Sequence, residues 1–455
     1  MQFKWLSSAL VLAAVAQAHN SFEVRRSHEL LRRQGGAPQN AADAAKVYGI
    51  EKECQTTNND DIYKMTQSNQ IPKSGQIATL ADGDDEGKKV WNEIKNSGII
   101  PSNVKPKKGT QNHMGLDQSG QNSYDKSKDP DCWWSINKCT KPKAKGIPED
   151  LDRCDEKSTW GLTFDDGPNC SHNEFYDFLQ KEKLRATMFY IGTNIANHPY
   201  QAQRALADGH DVCVHTWSHH YMTTLSDEQV FAELYYTAKL IKTVMGVTPR
   251  CWRPPFGDTD DRVRAIAAGL GLRTILWQED TEDWKIDSGD ASPEQVKNNY
   301  KKFMDKADSE SPVVLTHELT NNTMQMFVDE EPALKKAYKN IVPMTACVGV
   351  TNPYPEDITY PNFKDFTSGK IDPKNKPDIT KAKVDANAKY SPVPLSKQKQ
   401  KGSYANPAGA DGGSSSGDKQ NSSSESSSES SAIKLTGPTA FVSAVVSAVL
   451  AIAFL

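Results

Sequence analysis

The chain has 455 residues, of which 37% are hydrophobic, and its formal net charge is −4 at pH 7. This length exceeds one ordinary domain, but the polar residues concentrate at both ends, so we expect one sizeable globular domain with extensions. The small net charge and the lack of a long basic run give no electrostatic basis for binding nucleic acid, and we predict none.

The beginning of the chain is typical of a secreted protein. Residues 1–18, MQFKWLSSALVLAAVAQA, carry an early lysine, a short apolar run and a small-x-small ending. This pattern predicts a signal peptide cleaved after Ala18, and the alternative of a buried helix is disfavoured because polar sequence follows at once. Residues 19–130 are polar and weakly periodic, which predicts a partly ordered N-terminal extension with short helical stretches.

The middle of the chain alternates between two kinds of segment. Apolar β-rich runs appear at STWGLTF, ATMFYIG, HDVCVH, RTILW, PVVLTH and IVPMTACVGV, with helically spaced segments between them. Ser226 and Ser292, each with a glutamate two residues later, are predicted to begin helices. Strand–helix alternation predicts a parallel α/β fold, and six or seven units favour a distorted, incomplete (β/α) barrel of seven or eight strands over an open sheet. We place this domain at residues 131–355.

The end of the chain has the layout of a lipid-anchor signal. Residues 356–431 are rich in Ser, Pro and Lys, which predicts a disordered Ser-rich linker or stalk. Residues 432–455 form an apolar tail without basic residues after it, which predicts a glycosylphosphatidylinositol (GPI) signal that is removed, with attachment between Asn421 and Ala432. A tail-anchored helix is the alternative. The predicted location is the plasma membrane or cell wall of a eukaryotic cell.

Eight cysteines in a chain predicted to be secreted indicate that several form disulfide bonds, although the sequence does not give their pairing. Their wide spacing lacks the paired clusters of a zinc ribbon. Glycosylation sequons begin at Asn169, Asn321 and Asn421, as expected for a glycoprotein.

Polar residues follow several predicted strands, where functional groups of a parallel barrel collect. His215 and His219, spaced i and i+4, can face one cation from a helical turn, and Asp166 after another strand completes three ligands. The histidine pair alone is more often structural, and His220 is an alternative ligand. The adjacent Asp165 can then act as base toward water activated by the cation, whereas turn capping explains only one of the two aspartates.

Other residues suit the remaining steps of a hydrolysis. His317 is the natural general acid, and the segment containing Asp280 and Asp283 can orient it. Arg253 can pair with Asp165 and keep it ionised, although a surface salt bridge is the alternative reading.

Three further residues stand near these positions. The backbone N–H of Phe256 can face a developing oxyanion, since two prolines stiffen its loop. Trp284 and Leu315 are core residues by default, and pocket walls are the minority reading.

Five motifs in this order, TFDDGP, HTWSH, RPPFG, DTEDW and LTH, resemble those of the polysaccharide deacetylases of carbohydrate esterase family four, the NodB-homology domain. The resemblance covers roughly residues 157–350. With the predicted signal peptide, stalk and anchor, the chain is similar to fungal members that act on chitin. Phe256 stands where the family usually has tyrosine, and Glu318 where aspartate is common.

The resemblance implies a distorted (β/α) barrel that uses one Zn²⁺ or another divalent ion such as Co²⁺ to remove acetyl groups from N-acetylglucosamine units of chitin. It implies these roles: catalytic Asp165, His317, Arg253 and Asp280; metal-binding Asp166, His215 and His219; substrate-binding Phe256, Trp284, Leu315 and Asp283. Asp280 ranks ahead of Asp283 as the partner of His317. The expected partners are chitin or its oligomers and a membrane lipid anchor, and we expect a monomer.

Three alternatives remain. A glycosidase would use two carboxylates across a glycosidic bond, but adjacent aspartates do not flank a bond in this way. A wall-anchored polysaccharide-binding protein without activity would not need the full ligand set. A deacetylase of O-acetyl esters would use the same machinery on another polysaccharide.

Overall fold

The computed structural model describes residues 38–55 and 59–407. The predicted signal peptide, the predicted anchor signal and the last part of the predicted stalk lie outside these residues. Within them, no helix combines the length and the apolar character needed to cross a lipid bilayer.

Eight parallel strands form one curved sheet, which confirms the predicted fold class. They are β1 (Thr159–Gly167), β2 (Thr187–Tyr190), β3 (Asp211–Val214), β4 (Cys251–Trp252), β5 (Arg273–Thr274), β6 (Glu279–Asp280), β7 (Val313–Leu315) and β8 (Asn340–Val342). The order is β5-β4-β3-β2-β1-β7-β6, and β8 pairs with the start of β1. Because β5 and β6 end this order without pairing with each other in the described residues, the barrel is incomplete. β1 is central and buried at every position.

Helices surround the sheet. They are α1 (Ala41–Ala44), α2 (Ile50–Glu53), α3 (Asp60–Gln67), α4 (Asp85–Asn96), α5 (Gln118–Ser123), α6 (Trp134–Asn137), α7 (Asn173–Lys181), α8 (Gly192–Asn197), α9 (Pro199–Ala207), α10 (Asp227–Met245), α11 (Asp261–Gly269), α12 (Pro293–Met304), α13 (Asn321–Ala337), α14 (Met344–Cys347) and α15 (Phe363–Thr367). The predicted starts are confirmed, since Ser226 and Ser292 each form a capping box at the N-terminus of α10 and α12.

All eight cysteines form disulfide bonds. The pairs are Cys54–Cys170, Cys132–Cys139, Cys154–Cys347 and Cys213–Cys251. The last pair joins β3 to β4, and Cys154–Cys347 ties the segment before β1 to α14. Closing loops of this kind restricts the unfolded chain and so favours the folded one.

The N-terminal region departs from the prediction, because much of residues 59–130 packs on the barrel instead of extending from it. Ile62, Met65 and Trp91 belong to the same buried cluster as the barrel side chains. The ring of Trp91 lies 5.2 Å from that of Phe231 on α10. The segment looked like an extension because α3 and α4 each bury only a narrow apolar stripe between polar residues.

The predicted start of the stalk, at residue 356, is likewise too early in the sequence. Residues 356–407 lie in the same compact unit as the barrel, and their aromatic side chains are buried at Tyr360, Tyr390 and Tyr404. The Tyr404 hydroxyl donates to the carboxylate of Asp211, the first residue of β3, at 3.2 Å. Single tyrosines separated by polar residues produce no periodic pattern, which is why composition alone suggested a linker.

Candidate active site

The two adjacent aspartates at the end of β1 line one cleft. In a regular strand, neighbouring side chains point to opposite faces. Here the pairing of β1 with β2 shifts register between Asp165 and Gly167, and Asp166 has a left-handed φ of 71°. Both carboxylates therefore reach the same cavity, of about 650 Å³, and both are almost fully buried.

Asp166, His215 and His219 converge at one point. Asp166 Oδ1 lies 3.4 Å from Nε2 of His215 and 3.1 Å from Nε2 of His219. Nδ1 of His215 donates to the carbonyl oxygen of Arg253 at 2.8 Å, which leaves the lone pair of Nε2 for another partner. Burial raises the pKa of Asp166, but when the two imidazoles are protonated, the charge on His219 and hydrogen bonds from both histidines outweigh burial and hold this pKa well below its usual value.

These three residues fit a divalent metal ion. Their ligand atoms all lie within 4.8 Å of one another, and one carboxylate with two imidazoles is a donor set that suits Zn²⁺ and related ions. A second group in the described residues combines Asp129 with Cys132 and Cys139, but these two cysteines are bonded to each other.

The histidines sit on an irregular loop and not on the helical turn that the sequence suggested. Thr216 and His219 both have left-handed φ angles, of 65° and 56°. His220 hydrogen-bonds Ser218 at 2.9 Å and is not in the ligand group, so it is wrong as an alternative ligand. Left-handed backbone at non-glycine residues is costly and persists where the surroundings impose it.

Glu233 on α10 imposes that loop conformation. Its Oε2 accepts the backbone N–H groups of Trp217 and Ser218, each at 2.8 Å. Its Oε1 accepts the Ser218 hydroxyl at 2.6 Å and the backbone N–H of Ala78, from the N-terminal region, at 2.7 Å. The sequence interpretation missed this role. The available signal was a glutamate among mostly apolar residues on the buried face of the helix.

Asp165 is paired with Arg253, as predicted. Nη1 of the fully buried Arg253 donates to Asp165 Oδ1 at 2.7 Å and to the Thr163 hydroxyl at 2.9 Å. The alternative of a surface salt bridge is therefore wrong. The other carboxylate oxygen of Asp165 lies 3.7 Å from Nε2 of His215, so it borders the metal-ligand group.

His317 follows β7 and faces Asp165 across an extension of the β1–β7 pairing. Asp283, and not Asp280, is its partner: Asp283 Oδ1 lies 2.6 Å from Nδ1 of His317, and Oδ2 accepts the backbone N–H of His317 at 3.0 Å. Burial alone would lower the pKa of His317, but Asp283, with smaller contributions from Asp166 and Asp165, raises it to about 10.

The prediction that Asp280 ranks ahead of Asp283 as the partner of His317 is wrong, because the choice between them depends on the turn that follows β6. The chain leaves β6 at Asp280, whose carboxylate accepts the backbone N–H of Glu282 at 2.8 Å. The 3₁₀ turn Asp283–Lys285 then directs its first residue toward His317. Asp280 still lines the cleft, and burial raises its pKa.

Three of the four predicted substrate-contacting residues, Phe256, Trp284 and Leu315, line the cleft, whereas Asp283 is fully buried against His317 and does not line it. Phe256 has a left-handed φ of 57°, and its ring stacks on Tyr221 at 4.2 Å between centroids and meets His219 edge-on at 4.7 Å. Trp284 is 42% exposed, so the default reading of a core residue is wrong for it. Leu315 is buried and lines the cleft.

Further cleft residues come from segments to which the sequence interpretation gave no role. Trp134, Lys138 and Thr140 line the cavity from the region before β1, and Trp277 lines it between β5 and β6. Trp134, Lys138 and Thr140 lie more than twenty residues before the first of the five motifs, so only the folded chain brings them to the site, whereas Trp277 lies three residues before Asp280.

Comparison with known proteins agrees with this geometry. The family model for polysaccharide deacetylase matches residues 152–275. Over 380 residues, the chain is 43% identical to chitin deacetylase 2 of Cryptococcus neoformans var. grubii, with 80% of this chain and 81% of that protein covered. The chain belongs to the polysaccharide deacetylase family.

Other relatives share shorter regions. The chitin deacetylase of Amylomyces rouxii is 46% identical over 257 residues, which cover 55% of this chain and 60% of that protein. Chitin deacetylase 2 of Saccharomyces cerevisiae is 33% identical over 213 residues, covering 46% and 62%. Membership of the polysaccharide deacetylase family makes this chain a hydrolase, and Asp166, His215 and His219 are the residues suited to hold the divalent ion on which the family depends.

Glu233→Gln tests whether the buried glutamate supports the ligand loop. The neutral amide presents one oxygen and an NH₂ group where four donors now meet a carboxylate, so His219 is no longer held in place. We expect the dissociation constant for Co²⁺, measured by titration of the metal-free protein, to rise about 10- to 100-fold.

Glu228→Gln on the exposed face of the same helix is the matched control and should leave this constant unchanged. Ser218→Ala, which deletes only one of the four hydrogen bonds, should have a smaller effect than Glu233→Gln. Wild-type Co²⁺ affinity in a folded Glu233→Gln protein would contradict the assignment.

Proposed function

We propose that this protein hydrolyses the N-acetyl groups of N-acetylglucosamine units in chitin, giving chitosan and acetate. The observation that carries the proposal is the placement of a carboxylate base, a three-residue metal-ligand group and a charged histidine around one cleft. The relatives named above are chitin deacetylases, which supports chitin as the substrate over other acetylated polysaccharides.

Asp165 is the proposed base. Its carboxylate is kept in place by Arg253 and has one oxygen facing the metal-ligand group. A positive guanidinium at 2.7 Å favours the ionised form of a buried carboxylate, which is the form that accepts a proton. In the reaction, Asp165 takes a proton from the attacking water while the water oxygen bonds to the acetyl carbonyl carbon.

Asp166, His215 and His219 would hold Zn²⁺ or a related ion such as Co²⁺. A divalent ion at this position supplies Lewis acidity toward the acetyl carbonyl and lowers the pKa of water. The protein contributes the fixed ligand positions: the carbonyl of Arg253 sets the tautomer of His215, and Glu233 shapes the loop that carries His219.

His317 is the proposed acid. Its raised pKa keeps the imidazole protonated at neutral pH, with Asp283 accepting from Nδ1 and the Nε2 proton left for the substrate. When the bond between the carbonyl carbon and nitrogen breaks, His317 gives this proton to the nitrogen. The products are a glucosamine unit and acetate.

Phe256 and Leu315 are proposed to position the acetamide. The backbone N–H of Phe256 is proposed to donate to the carbonyl oxygen as negative charge develops on it. The buried Leu315 offers an apolar wall for the acetyl methyl group, and the exposed ring of Trp284 offers a face for a sugar.

Two of the alternative functions are disfavoured by the geometry. A glycosidase needs its carboxylates on opposite sides of a bond, about 5 Å or more apart, whereas Asp165 and Asp166 both border His215 on one side of the cleft. A binding protein without activity would not need the Asp283–His317 pair. Hydrolysis of O-acetyl esters would use the same residues, so this alternative is distinguished by the assay on N-acetylated chitin oligomers described below.

The four disulfide bonds indicate that the protein works outside the cytosol. We extend this to a secreted protein that is retained by a GPI anchor at the plasma membrane or in the cell wall, on the basis of the sequence at residues 421–455. Such a location would place the cleft next to chitin as it is deposited.

The proposed function predicts metal-dependent release of acetate from chitin oligomers. A chelator should abolish release, and Zn²⁺ or Co²⁺ should restore it. His215→Ala should lower kcat/KM by on the order of a hundredfold or more, because it removes a ligand. His220→Ala, directly after His219 in the sequence but outside the ligand group, should retain most of the activity. Acetate release that is insensitive to chelation, or absent from every N-acetylated oligomer, would contradict the proposal.

Asp283→Asn and Asp280→Asn form a matched pair for the acid. Because Asp283 raises the pKa of His317, its neutralisation lowers that pKa, and the protonated acid is lost at lower pH. The alkaline limb of the kcat/KM profile should therefore move to lower pH in Asp283→Asn, with a loss of about 10²–10⁴ in kcat.

Asp280→Asn should move the alkaline limb less, since Asp280 makes no hydrogen bond to His317. The assignment of Asp283 fails if Asp280→Asn shifts the limb as far as Asp283→Asn does, or if the limb of Asp283→Asn coincides with that of the wild type.

A further inference from the structure

One wall of the cleft comes from residues 132–139, a disulfide loop closed by Cys132–Cys139. This disulfide loop precedes the part of the chain matched by the family model, which begins at residue 152. The fully buried Arg264 fixes both ends, since its guanidinium donates to the carbonyl oxygens of Cys132 at 2.6 Å and Cys139 at 2.8 Å. Asp150 accepts from the same guanidinium, which holds it in place.

The disulfide loop is joined to the segment that carries Phe256. The indole N–H of Trp133 and the hydroxyl of Ser135 donate to Asp258 Oδ1 at 3.0 and 2.6 Å. The Trp134 ring lies so close to Gly257 that a Cβ on this glycine, whose φ is 68°, would come within 2.0 Å of the ring. The disulfide loop is therefore a fixed part of the cleft.

Lys138 is the charged residue of this loop that lines the cleft. Among the cleft-lining residues that the structure describes, it is the one lysine or arginine. Its Nζ lies 3.3 Å from the centroid of the Trp134 ring, which restrains a side chain that is otherwise exposed. Partial burial lowers the pKa of Lys138, while the charge of Asp280 acts in the opposite direction.

The Lys138 ammonium has no acceptor in the described part of the protein. The hydrogen bonds and ion pairs of these residues include none from its Nζ. Two of the carboxylates that line the same cleft have other partners: Asp152 accepts from Arg153 at 2.9 and 3.2 Å, and Asp280 accepts from the Glu282 N–H. An ammonium carries three donors, so those of Lys138 are directed at solvent or at a bound ligand.

The proposed substrate offers two kinds of sugar unit with opposite responses to this cation. An N-acetylglucosamine unit is neutral and has an amide carbonyl and hydroxyls that accept hydrogen bonds. At mildly acidic pH, a deacetylated unit carries a protonated amine, and this ammonium has no lone pair and repels Lys138. The reaction itself converts the first kind of unit into the second.

We propose that Lys138 selects for acetylated sugar units in the part of the cleft beside the reacting unit. It donates to an oxygen of an acetylated neighbour and disfavours a neighbour that has already lost its acetyl group. This inference rests on the proposed function. Its consequence is that the protein acts least well where it has acted before, so deacetylated units are spaced along the chain and not clustered.

The test compares two substrates and four proteins. The full-length chain, loaded with Zn²⁺, is assayed at mildly acidic pH, where the amines of deacetylated units are protonated, on fully acetylated chitin pentamers and on the same pentamers after partial chemical deacetylation. The quantity measured is the ratio of kcat/KM for the two substrates, normalised to acetyl groups present. Lys138→Met should lower the wild-type preference for the acetylated substrate by about fivefold, mainly through KM, because it removes the charge and the donors.

Lys138→Arg keeps a cation and should retain the preference. Lys141→Met is the matched control, since Lys141 is exposed outside the cleft and pairs with Glu149 at 3.7 Å. In the wild-type protein, added salt should weaken the preference, because it screens repulsion between exposed charges. This salt response does not depend on any variant being folded.

Several outcomes would overturn the inference. A wild-type preference that is absent or insensitive to salt contradicts it, as does a Lys138→Met ratio equal to that of Lys141→Met. If the wild type releases acetate but the ratio does not respond, only the role of Lys138 fails. If it releases no acetate from either substrate, the proposed function fails as well.

Discussion

Two neighbouring carboxylates inside a protein repel each other, and the site depends on giving each a different positive partner. Asp165 and Asp166 are 2% and 7% exposed, so water screens little of this repulsion. Arg253, itself fully buried, neutralises Asp165. His215 and His219 converge on Asp166, where a divalent ion would add more positive charge than the histidines alone. This separation of partners is what the proposed roles require, in which one carboxylate acts as a base and the other binds metal.

The carboxylates of three other buried acids hold the loops of the site in place by accepting hydrogen bonds from backbone N–H groups. Glu233 accepts the N–H groups of the loop between the two histidines, Asp283 accepts the N–H of His317, and Glu318 accepts the N–H of Asn169 after β1 at 2.9 Å. Hydrogen bonds to ionised acceptors are stronger than neutral ones. They offset the cost of the left-handed backbone at the ligand positions and keep the reacting groups in place before substrate binds.

Much of this arrangement was readable from the sequence because each motif is short and follows a predicted strand. The carboxyl ends of parallel strands meet at one edge, so the five motifs had to converge. The partner of His317 was not readable, since Asp280 and Asp283 have the same chemistry and a single turn decides between them. The packing of the two terminal regions was also hidden. Trp91 and Tyr404 are isolated apolar residues in polar segments, and their burial depends on contacts more than a hundred residues away in the sequence.

The disulfide loop illustrates the same limit. Its two cysteines lie seven residues apart, and nothing local indicates that Arg264, over a hundred residues later, anchors it to the cleft. The loop forms one wall of the cleft, and this wall lies outside the matched family region. The proposed role of Lys138 therefore places part of the substrate selection outside the matched family region, which contains Asp165, Asp166 and the two histidine ligands.

The division of labour between the adjacent aspartates is tested most directly by counting metal ions. Zinc bound per chain is measured by mass spectrometry on dialysed wild type, Asp165→Asn and Asp166→Asn, with thermal unfolding to verify that each protein is folded. We expect one ion per chain in the wild type and in Asp165→Asn, although the latter is inactive, and much less than one in Asp166→Asn. A full complement of zinc in Asp166→Asn, or equal loss of zinc in both variants, would contradict the account.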